Sequence, residues 1–137
     1  MKITRKLIVL VILCLTSASS LASDHSDISL STSEEISHLL AFVANSGCTF
    51  ERNGRSYDSH KASNHIDRKY NYVRKKGLVD SAEDFIKYSA TESSFSGRDY
   101  FVTCGEVRQP SGEWLLEELT SFREAANGSF ETQSVLP

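Results

Sequence analysis

Apolar residues along the chain fall into helical periods separated by short alternating or broken stretches. Ile36, Leu39, Leu40 and Val43 recur at i, i+3, i+4 and i+7, and Ser31 and Thr32 stand three residues before Glu34 and Glu35, a doubled capping-box signal. The spacing predicts a first helix over 33–45, closed by Ser46-Gly47. From Thr49 to Tyr57, Asn53-Gly54 sits between short flanks carrying Phe50 and Tyr57, the signature of a tight hairpin turn. Flanks of that length are too short to be a stable sheet alone. Asp58 or Ser59 can cap a second helix running through Ala62, Ile66, Tyr70 and Val73 and stopping at Gly77.

Asp80 or Ser81 caps a third, short helix containing Phe85 and Ile86, and the Ser/Thr-rich stretch from Ala90 to Gly97 reads as a loop. Tyr100, Val102 and Cys104 then alternate with Phe101 and Thr103 as a strand does. Pro110-Ser111-Gly112 breaks the chain, and a last helix starting near Ser111 or Gly112 places Leu115, Leu116, Leu119 and Phe122 on one face. From Ala126 the apolar period is lost. The expected fold is mainly α with a small antiparallel β element (α+β): about four helices, one short hairpin/strand region and one disulfide.

Composition bounds this picture without changing it. The chain has 137 residues, 39% of them hydrophobic and 24% charged, which suits one folded domain and leaves no room for a doubly wound sheet or a barrel enzyme. The expected division is a signal peptide over 1–22, a flexible segment over 23–30, one globular domain over 31–125 and a disordered tail over 126–137.

The first 22 residues carry the address. Lys2, Arg5 and Lys6 precede an apolar run from Leu7 to Leu15, followed by small residues ending at Ser20-Leu21-Ala22, the layout of a secretory signal. The run is too short to span a bilayer, and Leu13 before Cys14 is wrong for lipidation. Cleavage removes three of 15 basic residues and none of 18 acidic ones, a net charge of −6, which argues against nucleic acid as a partner. It also leaves Cys48 and Cys104, an even number in an oxidising compartment such as the periplasm, so a disulfide between them is expected. Cleavage after Ala22 would expose Ser23-Asp24-His25, a terminus that can wrap Cu(II) or Ni(II) through His25.

Phe50-Glu51-Arg52-Asn53-Gly54, Ala62-Ser63-Asn64-His65 with Lys69, Ala82-Glu83-Asp84-Phe85-Ile86, and Ala90-Thr91-Glu92-Ser93-Ser94-Phe95-Ser96-Gly97 with Tyr100 follow one another in an order and spacing that resemble the YfeK-like family of small exported bacterial proteins. Trp114-Leu115-Leu116 with Leu119 and Arg123 is similar to that family's closing helix. The resemblance covers about residues 34–123. It implies a compartment and a fold; the family has no established activity or catalytic residues to carry over.

The chemistry at these positions starts from helix geometry. His65 and Lys69 are four apart and Lys61 lies one turn earlier, so the three make a basic stripe on an otherwise acidic protein. One reading is an anion pocket formed by Arg52, Lys61, His65 and Lys69, completed by hydroxyls and backbone N–H groups of Ser93, Ser94, Ser96 and Gly97, with Tyr100 nearby. Carboxylated or phosphorylated cell-envelope material would fit. The other is a solvated helix face beside a loop whose serines cap turns.

Enzymatic signatures are missing. There is no Gly-x-Ser-x-Gly or Ser-x-x-Lys, so Ser94 or Ser96 with His65 is no more than a coincidence of common residues. No Cys-x-x-Cys, His-Glu-x-x-His or Cys/His cluster points to redox chemistry or a metal. No cofactor is expected. Ser96-Gly97-Arg98-Asp99-Tyr100 is similar to the Ser-Gly-x-x-Tyr loop of periplasmic lysozyme inhibitors, and an acidic chain would steer toward a basic protein. The expected function is therefore a non-enzymatic module for an anionic envelope component, with inhibition of a lysozyme-like enzyme as the alternative.

Overall fold

The computed structural model describes residues 30–133, with side chains described over 31–127. The predicted signal peptide, the segment after it and the His25 terminus lie outside the described residues. The element order is α1 (Leu30–Asn45), β1 (Thr49–Arg52), β2 (Arg55–Asp58), α2 (Ser59–Lys75), α3 (Ala82–Phe85) continuing as a π-helical turn over Ile86–Ala90, β3 (Phe101–Cys104), β4 (Val107–Pro110) and α4 (Ser111–Gln133). This is an α+β fold.

The strands form one antiparallel sheet in the order β2-β1-β3-β4. The first hairpin folds as its sequence dictates: Arg52 faces Arg55 across a two-residue turn in which Asn53 (φ 52°) and Gly54 (φ 75°) both take left-handed conformations. The short flanks are stabilised from the other side, where Phe50 pairs with Val102 of β3. The second hairpin enlarges the expected β region. The chain turns at Gly105, and β4 pairs with β3 from Cys104↔Val107 to Phe101↔Pro110.

Helix ends follow their capping residues. Asp58 caps α2, its side chain accepting from the Lys61 amide at 2.9 Å, and Ser81 caps α3 by accepting from the Asp84 amide at 3.1 Å. Gly77, just past α2, has φ 69°. Helix α4 runs as helical backbone to Gln133, past the end of its apolar period.

The core joins Ile36, Leu39 and Val43 of α1, Ile66 and Val73 of α2, Phe85 and Ile86, and Trp114, Leu115 and Leu119 of α4, with Phe50 and Val102 contributed by the sheet. Cys48 and Cys104 form the expected disulfide, with their α-carbons 4.7 Å apart. It ties the chain just after α1 to the end of β3. Among the described residues, no helix is long and apolar enough to cross a membrane.

Candidate functional site

The site forms where α2 passes behind the first hairpin and under the 92–99 loop. The helix sets the spacing: His65 and Lys69 share one face, and both are partly buried. Arg52, the last residue of β1, reaches across to that face. Its Nη1 lies 2.6 Å from Nδ1 and 2.8 Å from Nε2 of His65, and its Nη2 donates to the Tyr57 hydroxyl at 3.2 Å. The guanidinium also stands 4.9 Å from the centre of the Tyr57 ring.

A guanidinium can only donate, so His65 receives this bond as a neutral ring. One ring nitrogen accepts from Arg52, and Nε2 also stands 3.2 Å from the Tyr100 hydroxyl, donating to it or accepting from it according to the tautomer. Burial first, and then the charges of Arg52, Arg68 and Lys69, push the His65 pKa down from 6.5 to about 4. Burial likewise lowers Lys69, against a smaller opposing pull from Glu92, and raises Tyr100. The Tyr57 hydroxyl is lowered by its bond from Arg52.

The loop closes the other side. Lys69 Nζ donates to the Glu92 carbonyl and stands 5.2 Å from the centre of the Tyr100 ring. Ser93 is buried; its amide donates to the Arg98 carbonyl at 2.9 Å, and its carbonyl accepts from the Gly97 amide at 2.8 Å. Asn53 staples the loop to the hairpin, its Nδ2 donating to Ser93 Oγ and its Oδ1 accepting from Ser96 Oγ at 2.6 Å. The serines of this loop therefore hold its shape, and Gly97 (φ 65°) supplies its left-handed turn. Ser94 is exposed on the rim of a groove that runs from Arg52 past Lys69 to Phe95.

Of the predicted residues, Arg52, His65, Lys69 and Tyr100 meet directly. Lys61 lies further along, on the rim of an inner cavity behind Arg52, where it pairs with Asp58 at 3.2 Å. Tyr100 is only 6% exposed and faces inward rather than standing on a protruding loop. Tyr57, Arg68 and Ser111, which lie outside the expected set, also line the inner cavity. Arg68, three residues after His65, shares its side of the helix by spacing, whereas Tyr57 and Ser111 belong to other elements and carry no such signal.

Among the described residues, no group of three or more His, Cys, Asp and Glu is placed to hold a metal ion. What the arrangement offers is positive charge, two phenols and a neutral imidazole around an open recess.

All of these residues lie within 30–123, the span matched by the model of a family of unknown function (DUF5329). The chain belongs to that family. The family's span runs from the start of α1 into α4, and so holds both hairpins and both half-cystines. No curated protein and no solved structure matches the chain.

Proposed function

We propose that this member of the family is an exported, non-enzymatic binding module whose recess of Arg52, His65, Lys69 and Tyr100 takes an anionic component of the cell envelope. One observation carries the reading. Among the described residues, neither Arg52 nor Lys69 is in an ion pair, although both are partly buried and Arg68 adds a third cation close by. Cations withdrawn from water without a carboxylate in contact are costly, the more distant Glu92 offsets this only in part for Lys69, and an anion from outside lowers the cost further. Two acids near the recess are engaged by other cations, Glu51 by Arg108 and Asp58 by Lys61.

Export is supported by the resemblance to the YfeK-like proteins, by the layout of residues 1–22 and by the Cys48–Cys104 bond, which persists in oxidising compartments such as the periplasm. The alternative, inhibition of a lysozyme-like enzyme through residues 96–100, requires Tyr100 to be presented to a partner. Its burial against His65 favours the recess instead.

The test is a titration of the purified protein with inorganic phosphate and with acetate, followed by NMR at His65 and the amides of residues 92–99. Saturable shifts that vanish in the Arg52→Gln/Lys69→Met variant, with its melting temperature within a few degrees of the parent, are expected. Absence of any saturable shift overturns the reading.

A further inference from the structure

Behind Arg52 and His65 the recess continues inward as a cavity of about 240 Å³ whose chemistry changes with depth. Its more exposed lining carries the side chains of Arg52, Arg68 and Lys61, the last paired with Asp58, together with the Glu51 carboxylate, which is itself paired with Arg108. Its inner surface is apolar, built from Phe50, Ala62 and Ile66, each a buried member of the core. One wall carries Ser111, the first residue of α4, which is 1% exposed and whose hydroxyl has no hydrogen-bond partner among the described residues.

Each layer restricts what can enter. Cations at the mouth select a negative group. An apolar interior rewards a ligand that brings hydrocarbon behind that group. The size sets an upper limit: a cavity of about 150 Å³ already admits benzene, whereas pockets for drug-sized ligands run from about 300 to 1,000 Å³. The space therefore matches a six-membered ring and a few further atoms better than a drug-sized ligand. Ser111 adds a demand at depth, because a buried hydroxyl left unpaired is unfavourable and a ligand atom that pairs with it removes that penalty.

We propose that the ligand is a compact amphiphilic carboxylate: a carboxylate held by Arg52 at the mouth, a ring seated on Phe50, Ala62 and Ile66, and a hydrogen-bonding group on the far side of the ring that reaches Ser111. This rests on the anion-binding reading above and specifies the class of ligand.

Four probes separate the parts: acetate, phenylacetate, 4-hydroxyphenylacetate and 2-phenylethanol, each titrated into the full chain and read by NMR. Phenylacetate is expected to bind about 10-fold or more tightly than acetate, the return for burying a ring. The 4-hydroxyl is expected to add about threefold, one hydrogen bond's worth, and that gain alone disappears in Ser111→Ala. Ala62→Leu fills the cavity and brings phenylacetate down to the affinity of acetate. If Ala62→Leu does not fold, Ser111→Ala with the hydroxylated probe decides. Equal affinity of acetate and phenylacetate overturns the inference and leaves the anion site standing. Binding of 2-phenylethanol as tight as that of phenylacetate overturns it from the other side. No shift with any carboxylate brings down both this inference and the anion site.

Discussion

Arg52 donates to His65 at 2.6 Å, so a permanent cation is fastened to a ring that must stay neutral to receive it. Protonating His65 breaks this bond and places a fourth positive charge beside Arg52, Arg68 and Lys69. Between pH 6.5 and about 4 the unfolded chain holds a proton at this residue that the folded chain does not. Stability is therefore full above pH 6.5 and declines as pH falls toward 4. Because His65 is partly exposed, the loss is screened to about 1–2 kcal/mol. Urea titrations from pH 7 to 4 should show this slope in the parent and a shallower one in His65→Gln. Equal slopes would remove His65 as its source.

A bound anion reverses that electrostatic balance, because it favours the charged ring. The His65 pKa, followed by NMR, should rise when phosphate saturates the recess, and phosphate should bind more tightly at pH 5 than at pH 7 after correction for its own ionisation. An unchanged His65 titration at saturating phosphate would place the ion elsewhere.

The Cys48–Cys104 bond closes a sequence separation of 56 residues. Constraining a loop of that length in the unfolded chain is worth roughly 4 kcal/mol. For a domain of this size the melting temperature should then drop by about 15–30 °C on reduction or in Cys48→Ala/Cys104→Ala. A drop of only a few degrees would mean that the α1 and sheet contacts already hold these segments together.

Arg123 on α4 binds two acids on different elements, Glu35 of α1 at 2.7 Å and Glu83 of α3 at 2.5 Å. The pair of partners holds its guanidinium firmly protonated. Arg123→Met should cost about 1 kcal/mol and Arg123→Lys nearly as much, because one ammonium cannot reproduce the fork. Thermal melts at low and high salt give the check, since the difference should shrink as salt rises.

Ser89 is 0% exposed in the π-helical turn, and its hydroxyl has no hydrogen-bond partner among the described residues. Ser89→Ala should raise stability by about 1 kcal/mol, measured by denaturant unfolding. A loss of stability would reveal that the hydroxyl is satisfied in solution.

These relationships differ in how far the sequence disclosed them. Asn53-Gly54 and Gly77 declared themselves because positive φ angles restrict residue choice, and Asp58 and Ser81 because orphan amides demand acceptors. Strand β4 was silent. Val107-Arg108-Gln109-Pro110 is an edge strand paired only with β3, its first two side chains are exposed, and it ends in proline, so no apolar alternation marks it. The site divides in the same way. His65 and Lys69 could be placed together by helical spacing, whereas the bond from Arg52, the turn of Tyr100 inward and the depth of Ser111 depend on how separate elements pack.

Tyr100 is held at both ends of its own peptide: its amide donates to the Thr91 carbonyl at 2.8 Å and its carbonyl accepts from the Ser111 amide at 2.9 Å. With its backbone pinned between the loop and α4, the phenol acts as a fixed gauge rather than a swinging gate. A ligand entering the proposed recess would then meet a wall already in place, and no backbone rearrangement at Tyr100 would be spent on binding it.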